Sequence, residues 1–199
     1  RQGAKPVPQN ASTLPPDHPL PTQPAAQGIT PRLVVVMGVA GAGKSTVAEG
    51  LHNELGWPWQ DADALHSPES RALMAAGTPL DDTQRVDWLT RCHAWLAEQA
   101  RHGHGAILAC SALRLAHRDR LRADHLNPFF LALNADPASL TQRLEKRPGH
   151  FMPASLLPSQ LATLEPLTPE ESGVTLQSLA QPAETIALAL NALKRADQT

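Results

Sequence analysis

Apolar positions are thinly and irregularly scattered over the first 31 residues, with neither a period of 2 nor one of 3.6, and at Arg32 the pattern changes. Leu33-Val34-Val35-Val36-Met37 is an unbroken apolar run, rich in β-branched residues and ended by Gly38, as expected of a strand buried on both faces. Val47, Ala48, Leu51 and Leu55 then recur at spacings of three and four, which predicts a helix, and Gly56 stands where a helix C-terminal glycine belongs. Further strands are expected at Trp57-Pro58-Trp59-Gln60, Ala106-Ile107-Leu108-Ala109-Cys110, Phe129-Phe130-Leu131-Ala132-Leu133 and Val174-Thr175-Leu176. Helical patterns separate them: Trp88, Leu89, Cys92, Trp95 and Leu96 share one face, and Asp136-Pro137 reads as an N-cap followed by proline at the first helical position. Strands alternating with helices predict an α/β fold of three layers, a parallel sheet of about five strands flanked by helices.

Composition separates the chain into two parts. Eight of its 19 prolines fall in residues 1–31, so this segment is expected to be a disordered proline-rich leader, unable to bury enough apolar surface to offset its ordering entropy. Residues 32–199 are the expected folded domain. With 17 Lys+Arg against 19 Asp+Glu, a net charge of -2 gives no electrostatic reason to bind nucleic acid or an acidic membrane. No stretch is apolar enough to span a bilayer and the start carries no secretory pattern, so the cytoplasm is the expected location. Cys92 and Cys110 are too few for a disulfide scaffold and are expected to be small buried thiols. His102-Gly103-His104 reads as a loop, and the tryptophans as packing residues.

The chemistry begins at Gly38-Val39-Ala40-Gly41-Ala42-Gly43-Lys44-Ser45, followed by Thr46, which fits G-x-x-x-x-G-K-[ST] between an expected strand and an expected helix. Glycines let the backbone turn its N–H groups around phosphate oxygens, and the helix N-terminus adds partial positive charge. Lys44 can reach the β- and γ-phosphates, and the Ser45 hydroxyl can ligate Mg²⁺. The expected cofactors are therefore ATP and Mg²⁺. The third apolar run ends without an acid and no Asn-Lys-x-Asp is present, which argues against a large mechanochemical ATPase and against a GTPase. Asp61-Ala62-Asp63-Ala64-Leu65-His66 instead follows the second strand, at the carboxyl end where α/β folds place their ligands, and suggests phosphoryl transfer to a small hydroxylated acceptor.

From here the residues resemble a known family. Asp61-x-Asp63-x-x-His66, Met74-x-x-Gly77-x-Pro79-Leu80-x-Asp82-x-x-Arg85-x-x-Trp88-Leu89 and Cys110-Ser111-Ala112-Leu113 occur in order. Arg118-Asp119-x-Leu121-Arg122, Arg143-x-x-x-Arg147-x-x-His150-Phe151-Met152, Gln160-x-x-Thr163-Leu164-Glu165 and Gln181-Pro182-x-Glu184 follow. Over residues 32–190 the chain resembles the gluconokinases. The resemblance implies an adenylate-kinase-like P-loop kinase fold with a helical lid, a homodimer, and ATP-dependent phosphorylation of D-gluconate, a small sugar acid, to 6-phospho-D-gluconate.

It also implies roles. Asp63 is the candidate base for the acceptor hydroxyl and Asp61 a candidate partner of Ser45 at the metal; the bland alternative for Asp63 is a strand-end cap. His66, Ser111, Arg118 and His150 are candidate contacts to the sugar acid, although His66 could be a satisfied structural histidine and Arg118 a surface residue of an Arg-rich helix. Arg143 and Arg147, four apart, would share a helix face and close on the transferring phosphate, or else form a solvated face; Pro148-Gly149 would give a lid its hinge. Ser70, Leu73, Thr83-Gln84, His117 and Ala40 depart from the family pattern, mostly on the acceptor side. Two alternatives therefore stay open: a kinase for another sugar acid or a shikimate-like polyol, and a nucleotide-binding regulatory module without turnover.

Overall fold

The computed structural model describes residues 28–146 and 157–198. Five parallel strands, β1 (Leu33–Met37), β2 (Trp59–Asp61), β3 (Ala106–Ala109), β4 (Phe129–Asn134) and β5 (Gly173–Gln177), form one sheet in the order β2-β3-β1-β4-β5. Among the described residues seven α-helices accompany them: α1 (Lys44–Leu55), α2 (Pro68–Ala75), α3 (Asp82–Arg101), α4 (Leu115–Leu121), α5 (Pro137–Glu145), α6 (Leu157–Thr163) and α7 (Pro182–Ala196). The expected α/β architecture is the one observed.

The apolar run of β1 is continuous because both sides of the central strand face a core. Val34 and Val36 join a cluster with α1 and α7, built on Val47, Leu51, Ala189 and Leu193. Leu33, Val35 and Met37 point the other way, to a cluster with α3, built on Trp88, Leu89, Cys92 and Leu96. The expected helix ends hold as well. Gly56 closes α1 at φ 69°, and Asp136 caps α5 by accepting the Ser139 N–H. An Asp81/Gln84 capping box starts the long helix α3.

Two boundaries differ from expectation. Trp57 does not enter the sheet; its indole lies in the core against Gly105, so β2 begins at Trp59 and ends on Asp61. The folded part also starts before Arg32. Ile29 is fully buried in the α1/α7 cluster and the Thr30 N–H donates to Asp197 at 2.8 Å, so a single apolar residue with one backbone anchor extends the domain into the proline-rich segment. The remainder of the expected leader, residues 1–27, lies outside the described residues. Cys92 and Cys110 are both buried and free, and a hydrogen bond with Cys110 together with burial holds the Cys92 thiol well above the ordinary thiol range. No helix among the described residues is long and apolar enough to cross a membrane.

Candidate active site

All five strands run the same way, so the loops that follow β1, β2, β3 and β5 gather at one edge of the sheet. The β1–α1 loop is the glycine-rich one. Gly38 adopts φ 148°, and a Cβ there would lie 2.8 Å from the Leu133 carbonyl oxygen; Gly43, at φ 94°, turns the chain directly into α1. Lys44 is thus the first helical residue, with its Nζ donating to the Val39 carbonyl 3.1 Å away, and Ser45 is the second. Thr46 is exposed one position further on. Among the described residues the amides of Gly41 and Gly43 make no hydrogen bond, as suits a loop that cradles an anion at a helix N-terminus.

The rest of the loop is braced from outside. Ser178, following β5, donates its hydroxyl to the Ala42 carbonyl at 2.8 Å. The Ala40 N–H donates to Oε1 of Gln160 on α6 at 2.7 Å. The Gly38 N–H reaches the Ser111 carbonyl after β3 at 3.4 Å, which sets half-buried Ser111 beside the loop.

At the end of β2, Asp61 has both carboxylate oxygens occupied. Oδ2 accepts the Ser45 hydroxyl at 2.7 Å and Oδ1 accepts the Asp63 N–H at 3.0 Å, capping the short 3-10 turn Ala62–Leu65. A hydroxyl and a carboxylate converging in this way are hard oxygen donors, which suits Mg²⁺ when phosphates and water complete its shell. Asp63, on the turn, is exposed, and its Oδ1 lies 3.9 Å from Nε2 of His66. His66 itself is buried, stacked on the Trp88 ring at 4.6 Å between centroids and 14° between planes, while the Trp88 Nε1–H donates to the Ala62 carbonyl. Burial, followed by the charges of Arg71, Arg91 and Arg85, lowers the His66 pKa to about 4, so the imidazole is neutral at pH 7.

Two arginines differ from expectation. Arg118 is wholly buried and does not reach the acceptor side. Its Nε and Nη2 hold Glu171 in a fork at 2.6 and 3.0 Å, and Nη1 and Nη2 also donate to the carbonyls of Ala112, Glu165 and Pro166. A guanidinium with its donors spent this way is a tie between segments. Arg143 does lie beside the phosphate loop, but not as a free clamp: Nη1 donates to the Ser178 hydroxyl at 2.8 Å and Nη2 to the Leu179 carbonyl at 2.9 Å. Arg147, His150 and the Pro148-Gly149 hinge lie outside the described residues.

Several participants were not singled out by the sequence reading. Trp88 was expected only as a packing residue and not as the support of His66, and Gln160 stood inside a quoted motif without a role; the signal of each was its position within those motifs. Ser178 carried no signal, being one polar residue after a short strand.

A parallel sheet, a phosphate loop opening a helix, and carboxylates at the end of the neighbouring strand define a P-loop phosphotransferase. A family model described as an AAA domain matches residues 33–167, from β1 through α6. The chain is 54% identical over 138 residues to the gluconokinase of Gluconobacter oxydans, covering 69% of this chain and 78% of that protein. A crystal structure of a gluconokinase from Sinorhizobium meliloti superposes with a TM-score of 0.75 at 38% identity, covering 85% of this chain and 96% of the other. A sugar kinase from Janibacter superposes with a TM-score of 0.76 at 45% identity, covering 83% and 98%. The chain belongs to the gluconokinase family.

Proposed function

We propose that this protein transfers the γ-phosphoryl group of ATP to the 6-hydroxyl of D-gluconate, giving 6-phospho-D-gluconate and ADP. The observation that carries the reading is the placement of Asp63 and neutral His66 one short turn beyond the Ser45–Asp61 pair, beside the phosphate loop. Family membership selects gluconate over the other acceptors considered.

The loop and the α1 N-terminus bind the triphosphate, with Lys44 set to swing from the Val39 carbonyl onto the β- and γ-oxygens. Ser45 and Asp61 are the residues that would hold Mg²⁺, which supplies neutralisation of developing phosphate charge. Asp63 accepts the proton of the acceptor hydroxyl as its oxygen attacks phosphorus, and the proton leaves on the carboxylate. His66, kept neutral, can orient that hydroxyl without competing for the proton. Ser111 borders the same space from the β3 side, and Arg143, if it exchanges its bonds to Ser178 and Leu179, can meet phosphate with Arg147; His150 completes the set read from sequence. A homodimer in the cytoplasm is the accompanying expectation, supported by the family relationship.

The test is ADP release with Mg·ATP across D-gluconate, other sugar acids, free sugars and shikimate, with the product identified by mass spectrometry. Gluconate-dependent release with 6-phosphate formation is expected. Asp63→Asn should lower kcat by about a hundredfold or more while ATP affinity stays within about twofold; near-normal turnover in that variant would remove Asp63 as the base. ATP binding with silence across the panel would favour the regulatory module instead.

A further inference from the structure

Arg118 is committed to Glu171, so the acid group of the acceptor lacks the one arginine expected among its contacts. A cleft of about 220 Å³ between α3 and α4 supplies another. Arg85, Arg114 and Arg120 line it together with His117 and Asp82. Among the described residues, no ion pair or hydrogen bond engages any of these three guanidinium groups. The other described arginines are engaged: Arg32, Arg91, Arg101, Arg118 and Arg122 by carboxylates, Arg71 and Arg143 by carbonyl or hydroxyl oxygens, and Arg195 in a contact of its own.

Charge counting leaves the cleft positive. Among the described residues Asp82 is the one carboxylate lining it, and the nearby Glu165 has an oxygen committed to the Leu115 N–H at 2.6 Å. His117 adds no charge at neutral pH, because burial and then Arg85 and Arg114 lower its pKa to about 4 against the pull of Glu165. Three guanidinium groups against one carboxylate leave an excess of positive charge in the cleft, which an acid group bound among them relieves.

Helix α3 relates the cleft to the site described above. Arg85 precedes Trp88 and Leu89 by three and four residues on α3, so the three share a helix face; Trp88 carries the His66 ring and Leu89 lines the cleft. The charge of Arg85 is felt by His66 on one side and by His117 on the other. In an aldonic acid the carboxylate and the terminal hydroxyl lie at opposite ends of the carbon chain, so a kinase that joins phosphate to the one needs a separate place for the other.

We infer that the α3–α4 cleft is the carboxylate subsite of the acceptor, with Arg85, Arg114 and Arg120 gripping the acid group while Asp63 and His66 meet the hydroxyl end. This rests on the reading of the acceptor as a sugar acid. A planar guanidinium matches a carboxylate in a two-point fork, which lysine does not reproduce. The cleft therefore selects acids over neutral polyols of the same length.

Steady-state kinetics on the full chain test this with D-gluconate and the neutral six-carbon D-glucitol as acceptors. Arg85→Gln and the exposed Arg120→Gln should each raise KM for gluconate about tenfold or more, hold KM for ATP within about twofold, and shrink the preference for gluconate over glucitol. Arg85→Lys should recover only part of the loss. Thermal midpoints close to wild type, expected above all for Arg120→Gln, separate binding from folding. Gluconate KM within about twofold of wild type in both variants, or a parallel rise in KM for ATP, would overturn the inference, as would a change confined to oligomeric state. A wild type active on another sugar acid but not on gluconate overturns the gluconate reading alone, and the same variants then test the cleft with that acid. Activity on neutral polyols only, or on no acceptor, overturns both.

Discussion

At the scale of single residues, His66 has the most to lose from acid. Its ring is buried against Trp88, and its Nδ1 has no hydrogen-bond partner among the described residues. Its pKa falls from 6.5 to about 4 on folding, so between those values the unfolded chain binds more protons than the native one. The stability that depends on a neutral His66 is complete above pH 6.5 and is lost as the pH falls towards 4, by up to about 3 kcal/mol. His117 titrates over the same window. Denaturant melts of His66→Gln should therefore lose part of the wild-type slope across this range, and His66→Gln/His117→Gln more of it; identical slopes would show that neither histidine is held neutral. Legibility at this scale followed sequence locality. Lys44 and Ser45 belong to one contiguous loop pattern, and Asp61, Asp63 and His66 to one turn after a strand, so their grouping could be read before their positions were known. Arg118 could not be read, because nothing in a run of arginines says which one the fold removes from water.

At the scale of elements, the Arg118–Glu171 fork ties α4 to the segment leading into β5. Burial raises the Glu171 pKa, but the bonds from Arg118 and from the Thr168 N–H outweigh it and leave the carboxyl below its ordinary 4.5. A depressed carboxyl stabilises the fold above pH 4.5, and that contribution disappears as the pH falls through the folded value. Arg118→Met should cost about 3–5 kcal/mol, since it strands a buried carboxylate. Adding Glu171→Leu should restore much of this and remove the acid-dependent loss below pH 4.5. A double variant no more stable than the single one in urea titrations would mean that the two residues do not act as a pair. Strands and helices themselves were largely legible, since period and punctuation mark them: β1, β3, β4 and β5 fall on their apolar runs. β2 shifted because Trp57 is drawn under Gly105, a tertiary contact that no local period encodes. The bracing of the phosphate loop by Gln160 and Ser178, 120 and 136 residues away in sequence, was illegible for the same reason.

At the scale of the whole molecule, the parallel sheet divides the protein into two edges with different duties. Phosphate loop, carboxylates and Ser111 all follow strand ends on one edge, as the alternation of strands and helices implied from the outset. The opposite edge holds the starts of the strands, including the His102–His104 turn ahead of β3, where the two imidazoles stack on each other. It also holds Asp197, whose carboxylate takes the Thr30 N–H and the Arg32 guanidinium. Residues 30 and 197, far apart in sequence, are thus side by side, and Asp197 works as a clasp between the ends of the fold. The order in which the ribosome strings these elements together is consequently not the only order that can make this enzyme. A circular permutant of the folded part, joined by a short flexible linker between residues 197 and 30 and opened at the exposed Gly103, should fold and keep turnover within about tenfold of the parent. Loss of folding in that permutant, with the linker alone tolerated, would assign the His102–His104 turn a part in the folding pathway.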